Sequence, residues 1–383
     1  MLRVGIFWIC GFRAQLTAEG IGRHMIRLTE GLLASDNQLE INLVTDTVNL
    51  NEAIAAFLHV GRMYGTRLNV IATDDVGLIN ANLSVDIWLV PNAGLWKAIQ
   101  LNKPVILCLH DLGYIHFPEQ APDNHSQIID TIVPYLAKKA AAVVCNSDFI
   151  RANEGLRYLR LAPAKVVTIR LASPLEEYRA FSLIEENTFR QKYGFTNPYF
   201  LYPSAIRYYK NHYRLIEAFI NFRNSSEGYD SNLLLIMTDN FLSYPEMREI
   251  QILAPKCLDE SVRNSIVFGG RFPAQEMPSL YSYAAGTIVP TLFEGSCPFP
   301  ILESLLVGTP VAFSDIPVVW EVIPKTEAAI TFDPYSVKEI ENAISRLWQN
   351  SKTSSAPQLQ VPNRTWRDVA SEYLCVFRKV LKY

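Results

Sequence analysis

Short runs of consecutive apolar residues recur along the first half of the chain, each followed by a stretch whose apolar positions return every three or four residues. The runs are Arg3–Ile9, Ile41–Thr45, Leu68–Ala72, Ile87–Pro91, Val105–Leu109, Ala142–Cys145 and Val166–Arg170. Apolar runs of this length, bounded by turn residues, predict strands buried on both faces. Ile21–Leu33 and Ile128–Ala140 carry helical spacing between them. Strands alternating with helices predict a parallel α/β sheet. The looser polar stretch Ser173–Asn197 interrupts the rhythm, which restarts at Tyr199–Tyr202. Beyond it, Leu233–Met237, Ser265–Phe268, Thr287–Leu292, Pro310–Ser314 and Ala329–Phe332 read as strands. His212–Phe222, Ala274–Ala285, Pro300–Val307 and Val337–Gln349 read as helices. Ser351–Val361 is polar and reads as a linker, and Trp366–Leu381 is helix-spaced again.

The pattern predicts two doubly wound domains, 1–175 and 190–360, and a terminal helix at 365–383 that crosses back to the first. A length of 383 residues agrees, being too great for one ordinary core. Two such domains facing a cleft would bind ligands outside the carboxyl ends of their strands.

Composition narrows the function classes. The chain is 49% hydrophobic and 19% charged, well inside the globular range, and its net charge of −3 offers no general attraction to nucleic acid. Six scattered cysteines without a CxxC pair point to reduced thiols rather than a disulfide framework or a zinc site. The opening MLRVGIFWICGF reads as a first strand, and no apolar run approaches the roughly 18 residues that would span a bilayer. A cytoplasmic protein is expected, with a peripheral contact at the inner face of the membrane.

The chemistry concentrates in FEGSCPFPILESLLVGTPV, after the strand at Thr287–Leu292. Pro300 suits a first helical turn and Gly308 a helix end, which places Glu303 in the first turn or just beyond it. A helix start offers N–H groups to a diphosphate. Glu294 and Glu303, flanking it, can each accept from vicinal hydroxyls of a sugar or ribose, although in isolation a first-turn acid and a solvated loop acid are the better account of them. In YFLYPSAIRYYKNHYRLIEAF, Ser204, Arg207 and Lys210 follow a strand, where cations can neutralise a diphosphate leaving group. VILCLHDLGYIHFPE sets His110 and Asp111 at another strand end. AEGIGRHMIRLTEGL opens a helix at Gly20 and Gly22, whose missing side chains allow close backbone approach. No D-x-D metal pair occurs.

The Glu294–Glu303 segment, with VFGGRFPAQEMPSLYSYAAGTIVPTLFEG before it and GTPVAFSDIPVVWEV after it, resembles the signature of the retaining GT-B glycosyltransferases of family 4, the group 1 glycosyl transferases. That family's second domain carries E-G-x-G-x-P-x-x-E. Here the glutamates are nine positions apart, one more than in the family, while Pro300 keeps its offset from Glu303. The extra residue therefore lies in the loop, and Cys297 or Pro298 stands for a loop glycine. Lys210 and Asn211 match the family's R-x-x-x-x-K-N element, but Ala205 occupies its arginine position and Arg207 is the candidate substitute.

The resemblance implies transfer of a hexose, with retention, from a nucleotide-diphosphate sugar to a glycan or lipid-linked acceptor. It implies His110, Glu294, Arg207 and Lys210 as catalytic, and Glu303, Gly295, Ser296, Cys297, Phe299, Ser204, Gly20 and Gly22 as donor-binding. No cofactor or metal is expected. The YPS…KNH form leans towards mannosyltransferases of cell-surface polysaccharide synthesis. A GT-B epimerase or phosphorylase, or a nucleotide-sugar-binding protein without turnover, would share these features.

Overall fold

The computed structural model describes residues 1–17, 20–120, 125–240, 251, 255, 257, 262, 264–327, 329–353 and 360–382. It divides into two compact units, Met1–Ala172 with Arg364–Tyr383, and Ser173–Asn363.

The N-terminal unit is built on β1 (Leu2–Trp8), β2 (Leu39–Thr45), β3 (Leu68–Ala72), β4 (Ile87–Val90), β5 (Val105–Leu109), β6 (Ala142–Cys145) and β7 (Val166–Thr168). They form one parallel sheet in the order β3-β2-β1-β4-β5-β6-β7. Parallel neighbours require crossover connections, and helices α1 (Gly20–Ser35), α2 (Leu50–Tyr64) and α3 (His125–Lys139) are among those supplied. The winding direction reverses between β1 and β4, so the loops after these strands diverge at a switch point. Gly5 in β1 is dictated by packing, because a Cβ there would meet the Trp88 ring at 2.3 Å.

In the C-terminal unit, α4 (Glu186–Tyr193) and α5 (His212–Arg223) accompany β8 (Tyr199–Tyr202), β9 (Leu234–Met237), β10 (Ile266–Phe268), β11 (Gly286–Val289), β12 (Val311–Ser314) and β13 (Ile330–Phe332). The sheet is again parallel, β10-β9-β8-β11-β12-β13, reversing between β8 and β11. Helices α6 (Phe299–Leu306) and α7 (Val337–Thr353) follow β11 and β13.

The stretch Ser173–Asn197, loose by its polarity, is ordered into this second unit. α4 is capped by the Glu185 carboxylate and sends Phe189 into a core with Tyr199, Leu201 and Tyr281. A helix that buries one large apolar residue leaves almost no periodic trace. The linker expected at Ser351–Val361 begins as the last turn of α7, and its residues 354–359 lie outside the described residues. Residues 274–285 form a 3₁₀ turn and then a short helix, Met277–Ser282.

The last helix, α8 (Trp366–Leu381), returns to the N-terminal unit and packs on α1. Its buried stripe includes Trp366, Val369, Ala370, Tyr373 and Phe377, at helical spacing. Thr365 and Asp368 cap each other's backbone N–H groups at its start.

Candidate functional site

In the C-terminal unit the site grows from the loop after β8. Tyr208–Lys210 form one 3₁₀ turn, and Asn211 follows at φ +60°, a conformation uncommon for a residue with a side chain. The cost is met by its side chain: Asn211 Nδ2 donates to the carbonyls of Pro290 (2.8 Å) and Pro334 (2.7 Å), and its Oδ1 accepts from Arg214. The Leu292 N–H donates to the Tyr209 carbonyl at 2.7 Å, and the Tyr202 hydroxyl to that of Lys210 at 2.7 Å. The turn is thereby fixed to the end of β11, where Glu294 emerges.

Lys210 and Glu294, 84 residues apart in sequence, form an ion pair of 2.5 Å with side chains 22% and 14% exposed. The ammonium also sits 5.4 Å from the Tyr209 ring. Arg207 is exposed and reaches only the Ile206 carbonyl, with no carboxylate partner among the described residues. Ser204 is half-buried and donates to the Ala205 carbonyl.

Helix α6 begins at Phe299 after Pro298, with Pro300 in its first turn and no side-chain cap, and closes at Gly308, whose φ is +81°. Glu303 is its fifth residue, just past the first turn, and is 7% exposed. The Tyr281 hydroxyl donates to Glu303 Oε2 at 2.7 Å. Tyr281 is itself held in the core, so this bond orients the carboxylate. The loop residue Gly295 is buried, while Ser296 and Phe299 are half-buried. The Cys297 thiol, 6% exposed, has its pKa pushed up by burial and then by the Glu294 charge, which keeps it a neutral packing group.

The other candidates belong to the N-terminal unit. His110 follows β5, and the Asn146 side-chain amide, after β6, donates to its Nδ1. With Nδ1 accepting, the proton of the neutral ring sits on Nε2. Burial pushes the His110 pKa down to about 4; the Pro91 carbonyl works weakly the other way. His24 of α1 lies edge-on to it at 4.9 Å, and burial, then the neighbouring imidazole, hold His24 well below the usual range. Two neutral imidazoles in contact are the consequence. Asp111 Oδ1 accepts from the Gly113 N–H at 3.0 Å and shapes the loop. Beneath it, fully buried Glu154 bonds His116 Nε2 at 2.9 Å, and desolvation raises its pKa to about 7.

Gly22 has a structural explanation, since a Cβ there would meet the Leu16 carbonyl oxygen at 1.8 Å. Gly20 has none, its Cβ position being open. The loop before them is pinned by buried Asp46, which accepts from the N–H groups of Cys10 (3.0 Å) and Gly11 (2.8 Å).

Sequence reasoning missed Tyr281, His24, Asn146, Glu154 and Asp46. His24 stood inside a quoted segment, AEGIGRHMIRLTEGL, and Asn146 directly after the apolar run Ala142–Cys145, and a buried polar residue beside a strand end was the available signal. Among the described residues no group of His, Cys, Asp or Glu is disposed to hold a metal ion, and no helix is long and apolar enough to cross a membrane.

Residues 185–360 match the family described as Glycosyl transferases group 1. The chain is 24% identical over 274 residues to O-antigen chain mannosyltransferase B of Escherichia coli, covering 70% of this chain and 63% of that protein. It is 28% identical over 169 residues to O-antigen chain mannosyltransferase RfbU of Salmonella typhimurium, covering 44% of this chain and 43% of the relative. Both matches span less than two thirds of the curated relatives' length. Among solved structures, Anabaena HepE in complex with UDP and glucose superposes with a TM-score of 0.68 at 13% identity, over 100% of this chain and 96% of that one. Such a likeness carries the fold, and two doubly wound parallel-sheet units of this kind are the GT-B architecture. Residues 185–360 thus match the group 1 glycosyl transferases, and the chain as a whole shares the GT-B fold.

Proposed function

We propose that the chain is a retaining, metal-independent transferase moving a hexose from a nucleotide-diphosphate sugar to a glycan or lipid-linked acceptor, with mannose the favoured sugar. The observation that carries the reading is the joint placement of Lys210, Glu294 and the α6 start at the end of one strand, with Glu303 oriented by Tyr281. Glu303 accepts from the ribose hydroxyls. Lys210 and exposed Arg207 face the diphosphate, whose charge grows as the bond from the anomeric carbon to phosphate oxygen breaks. Those cations do the work that a bound metal does elsewhere. Glu294 and the amides of Gly295, Ser296, Cys297 and Phe299 are assigned to the sugar, and Ser204 to the diphosphate.

In the N-terminal unit, His110 serves as a neutral Nε2–H donor, a role its tautomer supports, and Gly20 leaves room for backbone approach to a phosphate or acceptor. Retention follows from the family resemblance: the acceptor attacks the face the phosphate leaves, and the departing phosphate takes its proton. The O-antigen mannosyltransferase relatives favour a surface-polysaccharide acceptor, and the UDP-bound relative favours a nucleotide-sugar donor. The chain is assigned to the cytoplasmic side of the membrane, where such donors are held.

Labelled GDP-mannose and UDP-glucose, each with and without lipid-linked glycan acceptors, test the reading. Nucleoside diphosphate release that requires an acceptor is expected, with the anomeric configuration kept by NMR. Isomerised donor without acceptor, or an inverted product, would sink it.

A further inference from the structure

Helix α8 has a flank that its core packing only partly covers. Beside its buried stripe, Glu372, Val376 and Val380 form one row, with Val376 itself buried, and exposed Cys375 and Lys379 the next, both overhanging β7, the last strand of its sheet. Between helix and strand lies a pocket of about 530 Å³, a volume typical of small-molecule sites. Its walls are mostly apolar, with Thr168, Glu372 and Lys379 the polar members. Ala141, Ala142 and Ala164 keep it open, since larger side chains at those positions would fill it, and Val167 and Ile169 complete it.

The charges around this pocket are segregated. Glu372 is the acid in the lining, and Arg364 neutralises it at 2.8 Å. Lys379, two turns further along the helix, lies at the other end. Lys165 directly follows lining residue Ala164, its ammonium donates to the Lys138 carbonyl, and Lys138 lies at the end of α3, just before lining residue Ala141. A slot with Lys379 in its lining thus has two more lysines next to its lining residues, in a chain whose net charge is −3.

We propose that this pocket binds an anionic membrane lipid, one acyl chain lying in the slot and the phosphate headgroup meeting Lys379, Lys165 and Lys138. The apolar lining gains by exchanging water for methylenes, and the lysines gain a counter-ion at a surface of negative potential. Burial holds the Lys165 pKa below its ordinary value, a desolvation that a bound phosphate would offset. The site lies wholly in the N-terminal unit, draws on none of the residues assigned to the donor, and stands whether or not the transferase reading does.

Fluorescence of cis-parinaric acid, an acyl probe that brightens on leaving water, tests the slot in the full-length protein. A saturable rise is expected, displaced by monomeric dioctanoyl phosphatidylglycerol at about tenfold lower concentration than by dioctanoyl phosphatidylcholine. Ala164→Phe, which fills the pocket, abolishes the rise. Lys379→Glu, on the exposed rim, weakens binding of the probe, whose carboxylate is itself an anion, without abolishing the rise, and erases the preference for the anionic lipid. Circular dichroism verifies both folds. No saturable rise, a rise unchanged in Ala164→Phe, or equal displacement by the two lipids would overturn the proposal. So would sedimentation showing a dimer that Ala164→Phe dissociates, because the slot would then hold a second copy of the chain.

Discussion

At the scale of single residues, the N-terminal unit carries three buried titratable groups whose effects on stability oppose one another. His24 and His110 are held neutral far below their ordinary 6.5, so unfolding takes up protons between pH 6.5 and about 4, and stability falls as pH falls through that window. Glu154, raised from 4.5 to about 7, keeps a proton that the unfolded chain gives up, so its contribution falls as pH rises from 4.5 to 7. Between pH 4.5 and 6.5 two uptakes stand against one release, so these three groups contribute a slope of about 1.4 kcal/mol per pH unit, stability rising with pH, and buried His212 of the C-terminal unit, pushed down to about 3, adds an uptake of the same sign. Glu154→Gln removes the opposing group, and urea unfolding of the variant at pH 5, 5.5 and 6 should show a slope steeper than that of the unaltered chain by about 1.4 kcal/mol per unit. In the C-terminal unit, if Glu303 holds the ribose hydroxyls as proposed, Glu303→Ala is expected to weaken nucleoside diphosphate binding about 30- to 100-fold by calorimetry. Tyr281→Phe removes one bond that orients the carboxylate and, on the same proposal, costs about fivefold. If Lys210 meets the diphosphate as proposed, Lys210→Ala is expected to lower kcat by about 10² to 10³ with a smaller change in KM, because that charge develops as the bond breaks.

Among the elements, two helical glycines with opposite surroundings make a contrast. Gly31 in α1 is where α8 comes closest: a Cβ there would meet the Trp366 carbonyl oxygen at 2.5 Å. Gly61 in α2 has open space around its Cβ position. Thermal melts should therefore separate the two substitutions. Gly31→Ala destabilises by about 1–3 kcal/mol through the forced shift of α8, while Gly61→Ala stabilises by about 0.5–1 kcal/mol, helix propensity being the only term left. Local pattern was enough to place α1 and α8, though not α2, because periodicity of 3.6 and caps such as Thr365/Asp368 are written in neighbouring residues. It could not say which face of α8 meets α1, nor that Gly31 is the contact, since those are facts about residues hundreds of positions apart.

For the whole molecule, the chain leaves the N-terminal unit after Ala172 and returns at Arg364, so α8 completes a core begun by α1. Deleting residues 364–383 uncovers the α1 face against which Trp366, Tyr373 and Phe377 are buried, and hydrogen exchange should show β1 and β4 losing protection while β8 and β9 keep theirs. Uniform loss over both sheets would contradict the division into units. Strand order within each sheet, with its reversal between β1 and β4 and between β8 and β11, is likewise a property of the assembled unit. What the sequence by itself determined were the strands, most of the helices, the α/β class and the strand-end segments holding Lys210, Glu294, Glu303 and His110, because apolar runs, helix caps and motif spacing are local. Only the tertiary structure decided that Lys210 closes on Glu294, that Tyr281 orients Glu303, that Asn146 sets the His110 tautomer beside His24, and that residues 173–197 join the second core. Each of these depends on which distant side chains are brought together and shielded from water, and burial, the force that selects them, acts on the folded whole.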